Sequence, residues 1–217
     1  MKQHKRLPLA LLLVFALCIQ ILSFTSAAAA LADPEPVFSA SDMTFSSGTD
    51  AVALPQSAVT QLSGLSSGTI IVDFTPTAMS TANCLFSLSN SSVTDAYFNL
   101  YIDNRGFLGL EVRNHGETRY VNLQGPAEVT RNTRHIMALS ADPQEGYKFY
   151  FDGDMVFQMP VALYELWEYD YRFMSTVNSA DVGYMGATYR NGSFGYPYYG
   201  TIDLSLIHIS EPTRRVV

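Results

Sequence analysis

The sequence predicts an all-β protein folded as an antiparallel β-sandwich. Short segments rich in aromatic and β-branched residues recur between turn signals, and apolar and polar residues alternate along them. Helical periodicity is weak, with Ser57–Leu65 and Val161–Trp167 as the two short candidates. Many short strands without long helices are typical of sandwiches. The predicted strands, in chain order, are Val37–Thr44, Gly68–Thr75, Cys84–Ser89, Ala96–Ile102, Phe107–Asn114, Glu117–Leu123, His135–Asp142, Gly146–Phe151, Asp154–Met159 and Val182–Tyr189.

Two turn sequences support the pairing of neighbouring strands. The run Asp142-Pro-Gln-Glu-Gly146 and the dipeptide Asp152-Gly153 are both of the kind that reverses a chain between strands. They predict a meander in this part of the chain.

The segment from residue 96 to residue 114 predicts a hairpin whose register follows from burial. A loop with an even number of residues would press Glu111 against an apolar face, at a cost of several kcal/mol. An odd loop, Asn104–Gly106, avoids this if Gly106 takes a left-handed conformation. We therefore expect Tyr101 to face Gly109 and Asn99 to face Glu111.

This register predicts one solvent-facing patch on the hairpin. Side chains of alternate residues share a face of a strand, and those two residues apart lie about 7 Å from each other. The patch would carry Tyr97, Asn99, Tyr101, Glu111 and Arg113. Taken alone, such a set is common on the solvated face of an ordinary sandwich.

The amino terminus predicts export. Lys2, Lys5 and Arg6 precede an uncharged apolar run from Leu7 to Phe24, and small residues follow up to Ala32. This is the pattern of a secretory signal peptide, so we predict cleavage after Ala32. We expect the mature protein to be secreted or extracellular. Attachment to the cell surface would require carboxy-terminal regions outside this chain.

The carboxyl terminus predicts a non-native tail. Leu204–Arg214 reads LSLIHISEPTR, which resembles the in-frame translation of a transposase-type sequencing adapter. We expect residues 204–217 to be foreign and residues 33–203 to form one domain. The alternative is that Leu204, Leu206 and Ile207 complete a real strand.

The predicted domain is strongly acidic. Of the 13 basic residues of the chain five lie outside residues 33–203, and of the 20 acidic residues one does, which leaves 8 against 19 and a net charge of −11. Such a charge repels phosphate backbones and anionic lipid, so nucleic acid and membrane surfaces are poor partners.

Metal ligands are scarce. The domain holds two histidines, His115 and His135, too few for a zinc site. Asp152 and Asp154 could contact calcium, but we interpret them as hairpin residues. The single remaining cysteine, Cys84, lies on an apolar strand and is interpreted as a core residue. No cofactor is expected.

Five segments carry a resemblance to a known family. They are GTIIVDFTP (68–76), LFSLSNSS (85–92), AYFNLYI (96–102), GLEVRN (109–114) and YGTID (199–203). In this order they resemble the amino-terminal lectin domain of bacterial sialidases, carbohydrate-binding module family 40. The resemblance implies a concanavalin A-like (laminin G-like) sandwich that binds sialic acid on a concave face.

The resemblance also implies the binding residues. The family's Glu-x-Arg pair falls on Glu111 and Arg113, its later Arg-x5-Tyr on Arg190 and Tyr196, and a further tyrosine on Tyr101. Near residues 79–82 the chain has the small residues Ser80, Thr81 and Ala82, whereas relatives often place an aliphatic contact nearby. The implied partners are sialylated glycans of mucin or host glycoconjugates, bound by a monomer. The implied parent is an exo-sialidase or trans-sialidase whose catalytic domain lies outside this chain.

Two other functions remain open. A sandwich-fold glycoside hydrolase would need two carboxylates about 5 Å apart for retaining hydrolysis. The half-motif Glu168-Tyr169-Asp170 has Phe173 where the second glutamate should stand. A ligand-free adhesion domain would instead show a buried Arg190 or a blocked face.

Overall fold

Two six-stranded antiparallel sheets form the sandwich that the sequence predicts. The computed structural model describes residues 36–167, 170–190 and 192–208. The predicted signal peptide, residues 1–32, lies outside the described residues. The strands are β1 (Phe38–Phe45), β2 (Val52–Ala53), β3 (Gly68–Ala78), β4 (Ala82–Ser89), β5 (Tyr97–Asp103), β6 (Leu108–Arg113), β7 (Val121–Gly125), β8 (His135–Asp142), β9 (Gly146–Phe151), β10 (Asp154–Met159), β11 (Val182–Met185), β12 (Thr188–Arg190), β13 (Ser193–Gly195) and β14 (Tyr199–His208).

One sheet has the order β1-β14-β3-β8-β9-β10 and the other β2-β11-β4-β5-β6-β7, while β12 and β13 form a separate two-stranded ribbon. Both predicted helices occur. Helix α1 spans Gln56–Leu62, and a 3₁₀ turn at Val161–Leu163 leads into α2 at Tyr164–Trp167. Among the described residues no helix is long and apolar enough to span a bilayer.

The core lies between the two large sheets. Strand β7 alternates buried and exposed residues, as expected for one face against the core and one against solvent. Strand β5 is buried on both faces along its whole length. Its inward face is apolar, with Phe98 at van der Waals distance from Phe86 and Phe173. A further layer of chain must therefore cover its outward face.

The β5–β6 hairpin has the predicted register. Tyr101 pairs with Gly109 and Asn99 with Glu111. Gly106 is left-handed, with φ of 83°. The carboxylate of Asp103 accepts hydrogen bonds from the backbone N–H groups of Arg105 and Phe107, at 2.8 and 3.0 Å, which closes the loop.

The predicted strand Val182–Tyr189 is divided in two. Gly186 adopts φ of +82°, and a Cβ at this position would lie 2.1 Å from the ring of Phe45. The chain therefore bends at Gly186, between β11 and β12. The sequence prediction missed this break and with it the β12–β13 ribbon.

Strand β14 continues past Asp203. Residues 204–207 pair with β1 on one side and residues 204–208 with β3 on the other, and Ser205 and Ile207 are buried. In the structure this segment therefore completes a central strand, which is the alternative stated in the sequence analysis. A foreign origin of residues 204–217 stays a prediction, and residues 209–217 lie outside the described part of the chain.

Cys84 is buried in β4, and burial raises the pKa of its thiol to about 12. We expect iodoacetamide to leave Cys84 unmodified in the folded protein at mildly alkaline pH and to modify it in urea, because alkylation needs an accessible thiolate. Mass spectrometry of the protein treated under both conditions checks this. Equal modification rates in both states would contradict the core position.

Candidate functional site

The predicted patch lies on the outward face of β5 and β6, but its β5 half is covered. Tyr97, Asn99 and Tyr101 are 1%, 0% and 7% exposed, so the prediction of a solvent-facing patch is wrong for β5. The ribbon β12–β13 and the residues that follow it lie over this half. The hydroxyl of Thr188 donates to Oδ1 of Asn99 at 2.9 Å, which fixes β12 to β5.

Glu111 and Arg113 form an ion pair on the uncovered half. Nε of Arg113 donates to Oε1 of Glu111 at 2.5 Å, and the two side chains are 31% and 12% exposed. The guanidinium carbon of Arg113 also lies 3.9 Å from the ring centroid of Tyr120. Burial alone would lower the pKa of Arg113, but the hydrogen bond and the charge of Glu111 raise it. Arg113 is thus a cation held in place by a carboxylate and a ring.

Arg190, from β12, lies between two tyrosines. Its Nη1 donates to the hydroxyl of Tyr97 at 3.2 Å and its Nη2 to that of Tyr196 at 3.4 Å. The guanidinium carbon is 5.2 and 5.0 Å from the two ring centroids. A carboxylate oxygen of Asp95 lies 3.7 Å away. Arg190 is partly exposed, with 29% of its side chain accessible, and so can accept a further anion.

Both arginines lie near Tyr97. Residue 97 is the register partner of Arg113, and its hydroxyl accepts a hydrogen bond from Arg190. Burial raises the pKa of Tyr97 far above its ordinary value, so the hydroxyl stays neutral. Arg190, on the separate β12–β13 ribbon, therefore lies over the face of the β5–β6 sheet that carries Arg113, 77 residues earlier in the sequence.

A hollow of about 390 Å³ lies beside Glu111 and Tyr196, the contacts of Arg113 and Arg190, but neither of these two arginines lines it. Three of the five predicted site residues, Tyr101, Glu111 and Tyr196, line it. Arg113 instead lines a neighbouring cleft of about 80 Å³ that also contains Asp95 and Tyr120. The remaining walls of the hollow are polar or small: Thr81, Ala82, Asn99, Asp103, Asn104, Arg105, Asn122 and Gln124.

Two features of the residues around the hollow are unusual. Tyr196 has φ of 54°, rare for a residue with a side chain, and its carbonyl accepts a hydrogen bond from the Cys84 N–H at 2.9 Å. Nδ2 of Asn99 is buried and has no hydrogen-bond partner among the described residues. Such features cost free energy and concentrate at functional sites.

Sequence reasoning did not single out Asp95, Tyr120 or Gln124. Tyr97 could have been assigned as the partner of an arginine, because the predicted register places it opposite Arg113. Asp95 carried no such signal because it precedes the predicted strand Ala96–Ile102. Tyr120 lay within the predicted strand Glu117–Leu123, but nothing in the sequence indicated its contact with Arg113; in the structure it lies just before β7.

The other carboxylates give little support to a catalytic site. Asp170 pairs with Arg119 and Arg172 at 3.5 and 3.6 Å, Phe173 is buried, and residue 168 lies outside the described part of the chain. Asp152 and Gly153 both have positive φ, as the hairpin interpretation expects. Within the described ranges no group of three or more His, Cys, Asp or Glu side chains is placed to bind a metal ion.

The fold is that of a lectin-like sandwich module. A family profile described as the sialidase N-terminal domain matches residues 44–209. The chain belongs to this family.

Two relatives, one of them solved in two complexes, illustrate the match. The anhydrosialidase of Macrobdella decora is 28% identical over 146 residues, which is 64% of this chain but 18% of that protein. The CBM40 domain of the Ruminococcus gnavus IT-sialidase, solved with α2,3-sialyllactose, superposes with a TM-score of 0.73 at 25% identity, covering 82% of this chain and 95% of that one. Its complex with α2,6-sialyllactose gives 0.72 at the same identity and coverage. The chain thus spans nearly all of the solved domain of one relative and under a fifth of the length of the other.

Proposed function

We propose that this chain is a non-catalytic module that binds terminal sialic acid and directs an attached sialidase to sialylated glycans. One observation carries the proposal: Arg113 and Arg190 both lie next to Tyr97, and each contacts a residue that lines the hollow, Arg113 contacting Glu111 and Arg190 contacting Tyr196. The sialyllactose complexes of the R. gnavus domain support the same ligand class.

The chemistry of the ligand matches these groups. Sialic acid carries a carboxylate, which a guanidinium fork binds through two parallel charge-assisted hydrogen bonds. Glu111, held against Arg113, can accept the N–H of the 5-acylamido group. Tyr101 and Tyr196 offer flat surfaces and hydroxyls to the sugar ring.

The binding should be weak. The net charge of −11 over residues 33–203 repels an anionic ligand, and the Asp95 carboxylate already lies near Arg190. We expect a dissociation constant between micromolar and millimolar, or roughly −8 to −4 kcal/mol.

Calorimetric titration of the purified protein with 3′- and 6′-sialyllactose tests the proposal, with lactose as the matched control. We expect saturable binding of both sialosides, no binding of lactose, and no release of reducing sugar. Release of sugar would favour the glycoside hydrolase, and absence of binding would favour a ligand-free adhesion domain.

Gly109 provides a second test of the site. A Cβ at position 109 would lie 2.2 Å from Cζ of Tyr101, so Gly109→Ala must displace the tyrosine ring that lines the hollow. We expect an affinity loss of about tenfold, equivalent to roughly 1.4 kcal/mol. Gly195→Ala is the control, because its added methyl meets nothing within 4 Å. Equal affinities of the two variants would argue against Tyr101 as a contact.

The biological setting is also proposed. The signal peptide predicted for residues 1–32 supports export, which would bring the module to mucin or other host glycoconjugates as a monomer. Because the chain covers 18% of the M. decora anhydrosialidase, the hydrolytic or trans-sialidase activity of the parent would reside in sequence beyond this module.

A further inference from the structure

The hollow extends beyond Glu111, away from the arginines. Along β6 the residues on the outward face are Arg113, Glu111 and Gly109, spaced about 7 Å apart. Gly109 lacks a side chain, and the ring of Tyr101 lies over it. Gln124 is the register partner of Gly109 on β7. The hollow therefore reaches at least one residue pair past Glu111.

The far wall is polar and fixed by hydrogen bonds. Nε2 of Gln124 donates to the hydroxyl of Tyr101 at 3.3 Å, and Oε1 accepts from Nη2 of Arg105 at 2.5 Å. Arg105 is held in turn by two contacts to Oδ2 of Asp103, at 2.8 and 2.5 Å. The charge of Arg105 is thus balanced, so this wall offers hydrogen bonds to a neutral group rather than a site for a second anion.

The wall of the hollow on the side of β4, opposite Gln124, leaves room for a larger group. It consists of Thr81 and Ala82, both small. A group longer than the acetyl of N-acetylneuraminic acid could therefore enter the hollow.

The orientation of the sugar decides which group enters. The carboxylate and the 5-acylamido group stand on opposite sides of the sialic acid ring. With the carboxylate at Arg113 and Arg190 and the amide N–H at Glu111, the end of the acyl group points along β6 toward Tyr101 and Gln124. We infer that this domain prefers sialic acids whose 5-acyl group ends in a hydroxyl, such as N-glycolylneuraminic acid. The inference rests on the proposed function.

A pair of ligands of equal size tests the preference. N-glycolyl and N-propanoyl sialyllactose differ by a hydroxyl in place of a methyl, so their affinities report the polarity of the wall and not its size. We expect the N-glycolyl compound to bind about five- to tenfold more tightly than the N-propanoyl compound, and at least as tightly as the N-acetyl compound, because one hydrogen bond with Gln124 is gained.

A variant locates the effect. Gln124→Leu replaces the polar wall by an apolar one of similar size and should abolish or reverse the ratio of the two affinities. Gln144→Leu makes the same change at an exposed turn and should leave the ratio as it is. A ratio of one or below in the unmodified protein, or a ratio that Gln124→Leu does not change, would overturn the inference. If none of the three sialosides binds, the proposed function itself fails.

Discussion

Replacing Arg190 by alanine should abolish retention of the protein on a sialylated glycan column and leave its melting temperature nearly unchanged. The guanidinium of Arg190 contacts the hydroxyls of Tyr97 and Tyr196 and faces Asp95, and these contacts lie at the surface of the sheet rather than in the core. Its loss removes one of the two cations that would bind the carboxylate. A truncated contact of this kind costs 2 kcal/mol or more, or at least about thirtyfold in affinity.

Arg131→Ala is the matched control, because Arg131 is an exposed cation in the loop before β8. It changes the net charge by the same amount without touching the site. Unaltered retention of the Arg190 variant would refute the role of Arg190. Equal losses in both variants would mean that overall charge, and not the site, governs retention.

Replacing Phe98 by alanine should cause the largest loss of stability, about 3–5 kcal/mol in the free energy of unfolding. Phe98 is fully buried, and its ring packs edge-on against Phe86 and Phe173, with centroids 5.9 and 5.4 Å away. The void would lie beneath β5, the strand that also carries Tyr97 and Tyr101. Urea denaturation followed by fluorescence measures the change.

Phe194→Ala supplies the comparison for Phe98. Phe194 is 40% exposed and contacts Tyr184 and Tyr189 on the ribbon. We expect a loss of about 1 kcal/mol or less, the value of an exposed aromatic pair. Similar losses in both variants would contradict the assignment of Phe98 to the core.

The register of the β5–β6 hairpin could be predicted because the carboxylate of Glu111 allows only one of the two possible registers. Any loop of even length would have buried Glu111, and Gly106 supplied the left-handed residue that the odd loop needs. The ribbon β12–β13 could not be predicted in this way. Its strands have three residues each, and the break before it depends on the packing of Phe45 against Gly186, a contact between residues far apart in sequence.

In the candidate site, too, contacts between neighbouring residues could be predicted, but contacts between residues far apart in sequence could not. Alternation along β6 placed Glu111 and Arg113 on one face, and the structure has them there as an ion pair. The approach of Arg190 to Tyr97 depends on how the ribbon lies over β5, which no local pattern encodes. For that reason Tyr97, Asn99 and Tyr101 were expected in solvent although the ribbon and the chain after it cover them.

A crystal structure of the protein with sialyllactose tests the central claim most directly. We predict that oxygens of the sialic acid carboxylate lie within about 3 Å of guanidinium nitrogens of both Arg113 and Arg190, with the acyl group in the hollow beside Tyr101. A sugar bound on another face, or one whose carboxylate contacts neither arginine, would contradict the proposed function.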